Sequence, residues 1–223
     1  NMRKSKMKAK LYEDLPLSLR DVQDQLLQLA LHTSYSKDVR AVLIFEDDPP
    51  NIFETLQPLV QYVRKRRLIP PWIFTRKFVE ESLDAYPLEF LDICTAYTNM
   101  ICNSDILKGL QFHKKDLRLQ MERELRSKWL LTRQALLDNP YKPASVRKTV
   151  VISRTAVYPV LKGLLHIHDR AVPATLEEAI KQGGELCKIN LSPLSDLISG
   201  IQQANSYLET LKKMIQYVQS LKL

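Results

Sequence analysis

Val39-Arg40-Ala41-Val42-Leu43-Ile44-Phe45, preceded by Asp38 and followed by Glu46-Asp47-Asp48-Pro49-Pro50, decides the fold class of this chain. The run is short, β-branched and almost continuously apolar, which predicts a strand buried on both faces. Asn51 then caps a helix reaching about Arg67. Ile52, Leu56, Leu59, Val60 and Val63 face inward, and Pro58 forces a kink or a later start. The basic run Arg64-Lys65-Arg66-Arg67 closes this helix and complements its dipole. Pro70-Pro71 leads into Trp72-Ile73-Phe74, a second short strand. Strand, crossover helix and strand make one βαβ-like unit.

Outward from this unit the pattern is helical. Residues 15–31 place Leu15, Leu19, Val22, Leu26, Leu29 and Ala30 on one side, with Pro16 in a first turn. Everything beyond Thr75 reads as helix. Short helices are expected from Thr75 to about residue 83, over 88–96 and over 103–110. The longest clear helix spans 115–137, with Leu117, Met121, Leu125 and Trp129 at i,i+4 spacing. A second covers 144–167, kinked at Pro159. A third opens at Thr175 with capping-box spacing to Glu178 and ends at Gly183-Gly184. Ser192-Pro193 starts another, and 201–221 is the last. Long helices with short connections pack as antiparallel neighbours. The expected class is α+β, mostly α. A basic tail (1–10) precedes a small α/β part (11–100) and an antiparallel helical bundle (101–223).

Glycine usage removes a whole group of functions. Gly109 is the first glycine in the chain, so the strand-and-helix stretch 38–74 has none. Only glycine lets a backbone approach phosphate closely at positive φ without strain. G-x-G-x-x-G and G-x-x-x-x-G-K-[ST] sites are therefore excluded.

The 223 residues are 45% hydrophobic and 26% charged, as in ordinary globular proteins. Apolar runs such as 41–45 fall short of the about 20 residues of a membrane span, so no membrane association is expected. No apolar stretch follows the basic start, so no signal peptide is expected. Cys94, Cys102 and Cys187 cannot all pair and fit no zinc spacing. Reduced, buried thiols and a cytoplasmic location are the expectation. The net charge is +8. Arg3, Lys4, Lys6, Lys8 and Lys10 carry five of the 33 basic residues, leaving 28 against 25 acidic ones elsewhere. The basicity is mostly a tail, which could bind a phosphate backbone but more commonly is a solvated terminus.

Two blocks go beyond generic helix. One is Pro70-Pro71-Trp72-Ile73-Phe74-Thr75-Arg76 with Ser82-Leu83-Asp84-Ala85-Tyr86-Pro87-Leu88-Glu89-Phe90-Leu91-Asp92-Ile93. The other is Asp116-Leu117-Arg118-Leu119-Gln120-Met121-Glu122-Arg123-Glu124-Leu125-Arg126-Ser127-Lys128. These resemble prokaryotic proteins with a nucleotidyltransferase-like N-terminal domain and a HEPN-type helical C-terminal domain. The resemblance runs from about Asp38 to the end. It implies a site of ordered parts: strand, Gly-Ser turn, loop, Ser-Asp and strand. Two neighbouring carboxylates there would hold Mg²⁺, which offsets phosphate charge.

Here 36–45 matches the last piece of that order. The Gly-Ser turn is missing, and a helix ending near residue 31 leaves no room for the first strand. Asp38 matches one carboxylate position, but Arg40 stands at the other and would repel Mg²⁺. The expectation is a degenerate, non-catalytic binding or regulatory protein. An active nucleotidyltransferase would need an altered Mg²⁺ site built from Asp38 with Glu46 or Asp47. A nucleic-acid-binding protein would use the tail and Arg64 to Arg67, though no aromatic residues interleave that run.

The HEPN ribonucleases use Arg-x4–6-His. None of His32, His113, His166 and His168 has an arginine at that spacing before it. Arg118, Glu122 and Arg126 form a ladder, with Glu124 facing Lys128. One reading is an anion or nucleotide groove lined by Arg118, Arg126 and Lys128. The other is a network of surface ion pairs, individually weak. Homo-oligomerisation is expected through the bundle, whose helices are long, or across an open sheet edge.

Overall fold

The computed structural model describes residues 10–223. Of the basic tail, residues 1–9 lie outside the described residues. The class is α+β and mostly helical, with one mixed four-stranded sheet. The described residues form two units, 10–83 with 93–111 and 84–92 with 112–223. It crosses between them three times, where the sequence pattern suggested one boundary near residue 100.

The first unit holds the strands β1 (Leu26–Thr33), β2 (Val39–Phe45), β3 (Trp72–Thr75) and β4 (Tyr97–Cys102), in sheet order β3-β2-β1-β4. β2 and β3 are parallel, joined by the short helices α1 (Ile52–Thr55) and α2 (Gln57–Arg66). The helix expected over 51–67 breaks at Leu56, and Pro58 sits in the first turn of the second piece, where its missing N–H costs nothing.

Two expectations are corrected here. Residues 15–31 are not one helix. A 3₁₀ segment, Leu15–Gln25, buries Leu15, Leu19 and Val22, and the chain then becomes β1. A strand therefore precedes β2, where the sequence pattern predicted a helix. It is the central strand, antiparallel to both β2 and β4. Buried on both faces, its Leu-Leu-Gln-Leu-Ala-Leu run lacks the alternation that marks a strand. Likewise 97–102 is a strand and 103–110 contains no helix. β4 is an edge strand whose conformation comes from pairing with β1.

Gln28, fully buried in β1, ties these pieces together. Its Nε2 donates to Asn99 Oδ1 (2.8 Å) and Asp105 Oδ1 (2.7 Å). Its Oε1 accepts from the backbone N–H groups of Ile106 (2.9 Å) and Leu107 (3.2 Å). Tyr97 Oη donates to Asp105 Oδ1 at 2.9 Å, and Asn99 Nδ2 to Asp105 Oδ2 at 3.0 Å. Both ladders of β1 shift register beside Gln28, at 26/28 and at 29/30. Such bulges re-aim a side chain.

In the same unit α3 (Arg76–Glu81) is capped by Thr75, whose Oγ1 accepts from Phe78 N–H at 3.1 Å. α4 (Pro87–Cys94) lies mostly in the second unit. There it joins α5 (Lys114–Asp138), α6 (Pro143–Ile167), α7 (Leu176–Cys187) and α8 (Ile201–Ser220). Leu117, Met121 and Leu125 of α5 are fully buried; Trp129 is only part-buried and carries the Arg133 guanidinium over its ring at 4.3 Å. Gly163 permits a close approach. A Cβ there would lie 2.6 Å from Leu88 Cδ2 and 2.9 Å from Met121 Sδ. Gly183-Gly184 does not end α7. The helix runs on to Cys187, and Lys188 at φ 54° terminates it. Gly183 is buried within the helix, and a Cβ there would lie 3.3 Å from Leu191 Cδ1, closer than an ordinary contact. After Ser192-Pro193 only a 3₁₀ turn forms, Ser192–Leu194.

α6 is long and apolar enough to cross a membrane, with 61% of its apolar window buried within the protein. It also carries two buried cations. Lys162 Nζ pairs with Asp92 Oδ1 at 2.7 Å and donates to Asp92 O at 3.2 Å. Arg154 donates to the carbonyls of Asp196 (2.6 Å) and Pro193, and its guanidinium lies 5.6 Å from the Tyr207 ring centroid. Burial lowers the Arg154 pKa. Beside it, Ser153 Oγ bonds Thr132 Oγ1 and Tyr207 Oη, both at 2.7 Å.

Leu125→Ala should lower stability by ~2–5 kcal/mol, the cost of a core cavity, read as a drop in melting temperature. Gln28→Leu should strand the N–H groups of Ile106 and Leu107, each stranded group costing roughly 1–3 kcal/mol. Denaturant unfolding checks this, and an unchanged midpoint would show that the amide network adds no stability.

Candidate functional site

Carboxylates held close together would define a transferase site. Asp38 stands before β2 and Glu46 after it, so the strand's seven residues separate them. At ~3.3 Å per residue that is a separation on the order of 25 Å, too far to share one metal ion. Asp38 ends the tight turn after β1. Its Oδ2 accepts from Ser36 Oγ at 3.0 Å, and its N–H donates to Ser34 Oγ at 3.3 Å. Lys37 N–H closes the turn on Ser34 O at 2.9 Å. Glu46 pairs with Arg76 at 3.2 Å. Asp47 is exposed in the following loop. Arg40 lays its guanidinium over the Trp72 ring, 4.4 Å from the centroid. Among the described residues no group of three or more His, Cys, Asp or Glu side chains could hold a metal ion.

Three of the four histidines, His32, His166 and His168, pack or hydrogen-bond within the protein, and His113 is exposed. His32 is buried, with Nδ1 3.2 Å from Ala96 O. His166 meets Phe112 edge-on at 5.8 Å, and burial lowers its pKa. His168 Nε2 lies 2.9 Å from Tyr217 Oη.

The α5 ladder forms, but it divides. Arg118 Nη1 reaches Glu122 Oε2 at 3.1 Å, and Arg126 Nη2 reaches Glu122 Oε1 at 2.9 Å. Arg126 also donates to Gln219 Oε1 at 3.4 Å. Both oxygens of Glu122, only 18% exposed, are thus engaged. Lys128 pairs with Glu124 at 3.6 Å. At about 100° per residue, Lys128 sits roughly 160° around the helix from Arg126. The three cations named as one groove therefore do not line a common surface. Lys128 instead borders a shallow cleft of about 270 Å³ with Leu131 and Thr132 of α5 and Ile152 of α6.

An apolar cavity of about 440 Å³ lies in the first unit and was missed by sequence reasoning. Ile52, Leu56, Leu59 and Val63 form its wall on the crossover helices, and Pro70, Pro71 and Ile73 complete it. Phe53 and Val60 also line it, yet they are 86% and 39% exposed. Val60 was expected to face inward. A signal did exist. Phe53 falls outside the inward 52/56/59/63 set, so periodicity already leaves a large aromatic on the exposed side of the helix.

Arg64 and Asp48 are the charged lining residues. Arg66 is drawn off to Asp14 (3.1 Å) and stacks on Tyr62 at 3.9 Å. Arg64, Lys65 and Arg67 are exposed and make no ion pair among the described residues.

The α5 geometry leads to a specific outcome. Since Glu122 already binds both guanidinium groups, phosphate should stabilise the protein no more than chloride at equal ionic strength. Melting temperatures of wild type and Arg118→Ala/Arg126→Ala test this. A phosphate-specific rise lost in the double variant would restore the anion groove.

Compared with protein-family models, curated proteins and solved structures, the chain gives no match in any of the three.

Proposed function

We propose that this chain is a nucleotidyltransferase-like protein with a HEPN-like helical unit that binds a ligand or partner and performs no nucleotidyl transfer. The observation that carries this reading is the separation of its carboxylates by the whole of β2. Transfer from a nucleoside triphosphate needs Mg²⁺ held by carboxylates close together, to offset phosphate charge and align the attacking oxygen. Asp38 caps a tight turn at one end of the strand, and Glu46 is paired with Arg76 at the other. Arg40 adds a cation two residues from Asp38 and is held in place by Trp72. The turn between β1 and β2 closes on its own serines and contains no glycine, so it offers no backbone cradle for triphosphate.

The βαβ connection and the two sequence blocks support descent from a nucleotidyltransferase-like architecture. Its crossover hollow supports a binding role. Cys187 is buried, Cys94 part-buried and Cys102 exposed, and a reducing, cytoplasmic setting would keep the three as thiols.

The test is incubation of the pure protein with each labelled nucleoside triphosphate and Mg²⁺, alone and with added RNA, protein or sugar acceptors. No label transfer is expected. Transfer that disappears in Asp38→Ala would overturn the reading.

A further inference from the structure

We infer that the cavity on the crossover helices is a binding site for a single-chain amphiphile, with an apolar body in the hollow and an anionic head at Arg64. This goes beyond the proposed function and does not depend on it, since none of the carboxylates that transfer would need takes part.

Its volume of about 440 Å³ falls within the range of about 300–1,000 Å³ of small-molecule pockets. Apart from Asp48 and Arg64, every lining residue is apolar. A nucleobase or a sugar needs several donors and acceptors along its edges, and these walls supply none besides those two side chains. An aliphatic or other apolar body needs only to be removed from water, and this lining does that.

The head is assigned by charge. α2 ends in Arg64, Lys65, Arg66 and Arg67. One of these is neutralised by Asp14, and the other three face solvent without an ion pair among the described residues. Arg64 lines the cavity itself, so a carboxylate, phosphate or sulfonate can take a charge-assisted hydrogen bond from it while the chain lies inward. Asp48 is the one acidic lining residue, and a cationic head would turn to it instead.

Other occupants fit less well. A second copy would bring a chain of net charge +8 against a basic rim. The basic N-terminal tail has the same fault. A flat bilayer surface would use Phe53 and the cations but leave the hollow unfilled.

The test uses dodecanoate, dodecyl phosphate, dodecanol and dodecyltrimethylammonium below micelle formation, by displacement of 1-anilinonaphthalene-8-sulfonate and by calorimetry. The anionic amphiphiles should bind at least tenfold more tightly than dodecanol and dodecyltrimethylammonium. Arg64→Ala should abolish that preference by weakening the anionic amphiphiles more than dodecanol. Val60→Glu should weaken the anionic amphiphiles and dodecanol at least tenfold each. Both positions are exposed, and circular dichroism melting verifies that the variants fold. Dodecanoate bound no better than the ammonium amphiphile, or equally well by Arg64→Ala, would overturn the inference. So would binding to phosphatidylglycerol vesicles with no binding of the monomers.

Discussion

A strand buried on both faces must find a hydrogen-bond partner on each edge, because its N–H and C=O groups have no water to turn to. β1 is in that position. β2 follows directly through a tight turn and satisfies one edge. The other edge is satisfied only by residues 97–102, far along the chain. This requirement accounts for the path of the polypeptide. It leaves the first unit after residue 83, contributes 84–92 to the second, and returns as β4. Gln28 secures the return. Its buried amide donates twice and accepts twice, so the segment 99–107 has one low-energy placement against β1. Burial also raises the pKa of Tyr97, keeping its hydroxyl protonated as the donor the network needs.

The helical unit solves a different problem. Its core helix, α6, carries a lysine and an arginine that are both buried. A charge can stay in such a place only when paired or fully hydrogen-bonded. Lys162 meets the Asp92 carboxylate from α4, and Arg154 meets two carbonyls near the Ser192–Leu194 turn. These directional contacts set where α4 and that turn can dock on α6. Gly163, next to Lys162, removes the side chain that would hold α4 and α5 off. Apolar packing then fills the remaining space at high density.

Charge is distributed by the same economy. On α5, Arg118, Arg126 and Lys128 are each matched to an acid one turn away. On α2, Arg64, Lys65 and Arg67 make no ion pair among the described residues, and Arg64 lines the apolar hollow. The two regions look alike as sequence, because both are arginine-rich helix segments. They differ in what lies around them.

Local patterns settled much of this protein directly. The β-branched run 39–45, the proline-led strand at Trp72, the cap at Thr75 and the Leu117/Met121/Leu125 stripe each follow from short-range sterics and periodicity, and each is present. The absence of glycine before Gly109 likewise needed no structure to exclude a phosphate-cradling loop. Of the candidate site, Asp38, Arg40 and Glu46 could be named from sequence, but their mutual distances could not. What tertiary structure alone decided was every feature defined by partners remote in sequence. The run 26–31 fits a buried helix as well as a buried strand, and only pairing on both edges makes it β1. β4 is extended because β1 needs it. Gly183-Gly184 reads as a helix end, yet Leu191 and Leu164 pack against it and the helix continues. The hollow beside Phe53 exists because α1 and α2 break at Leu56 and Pro70-Pro71 approaches from another segment. Periodicity along one helix carries no information about such a meeting of surfaces.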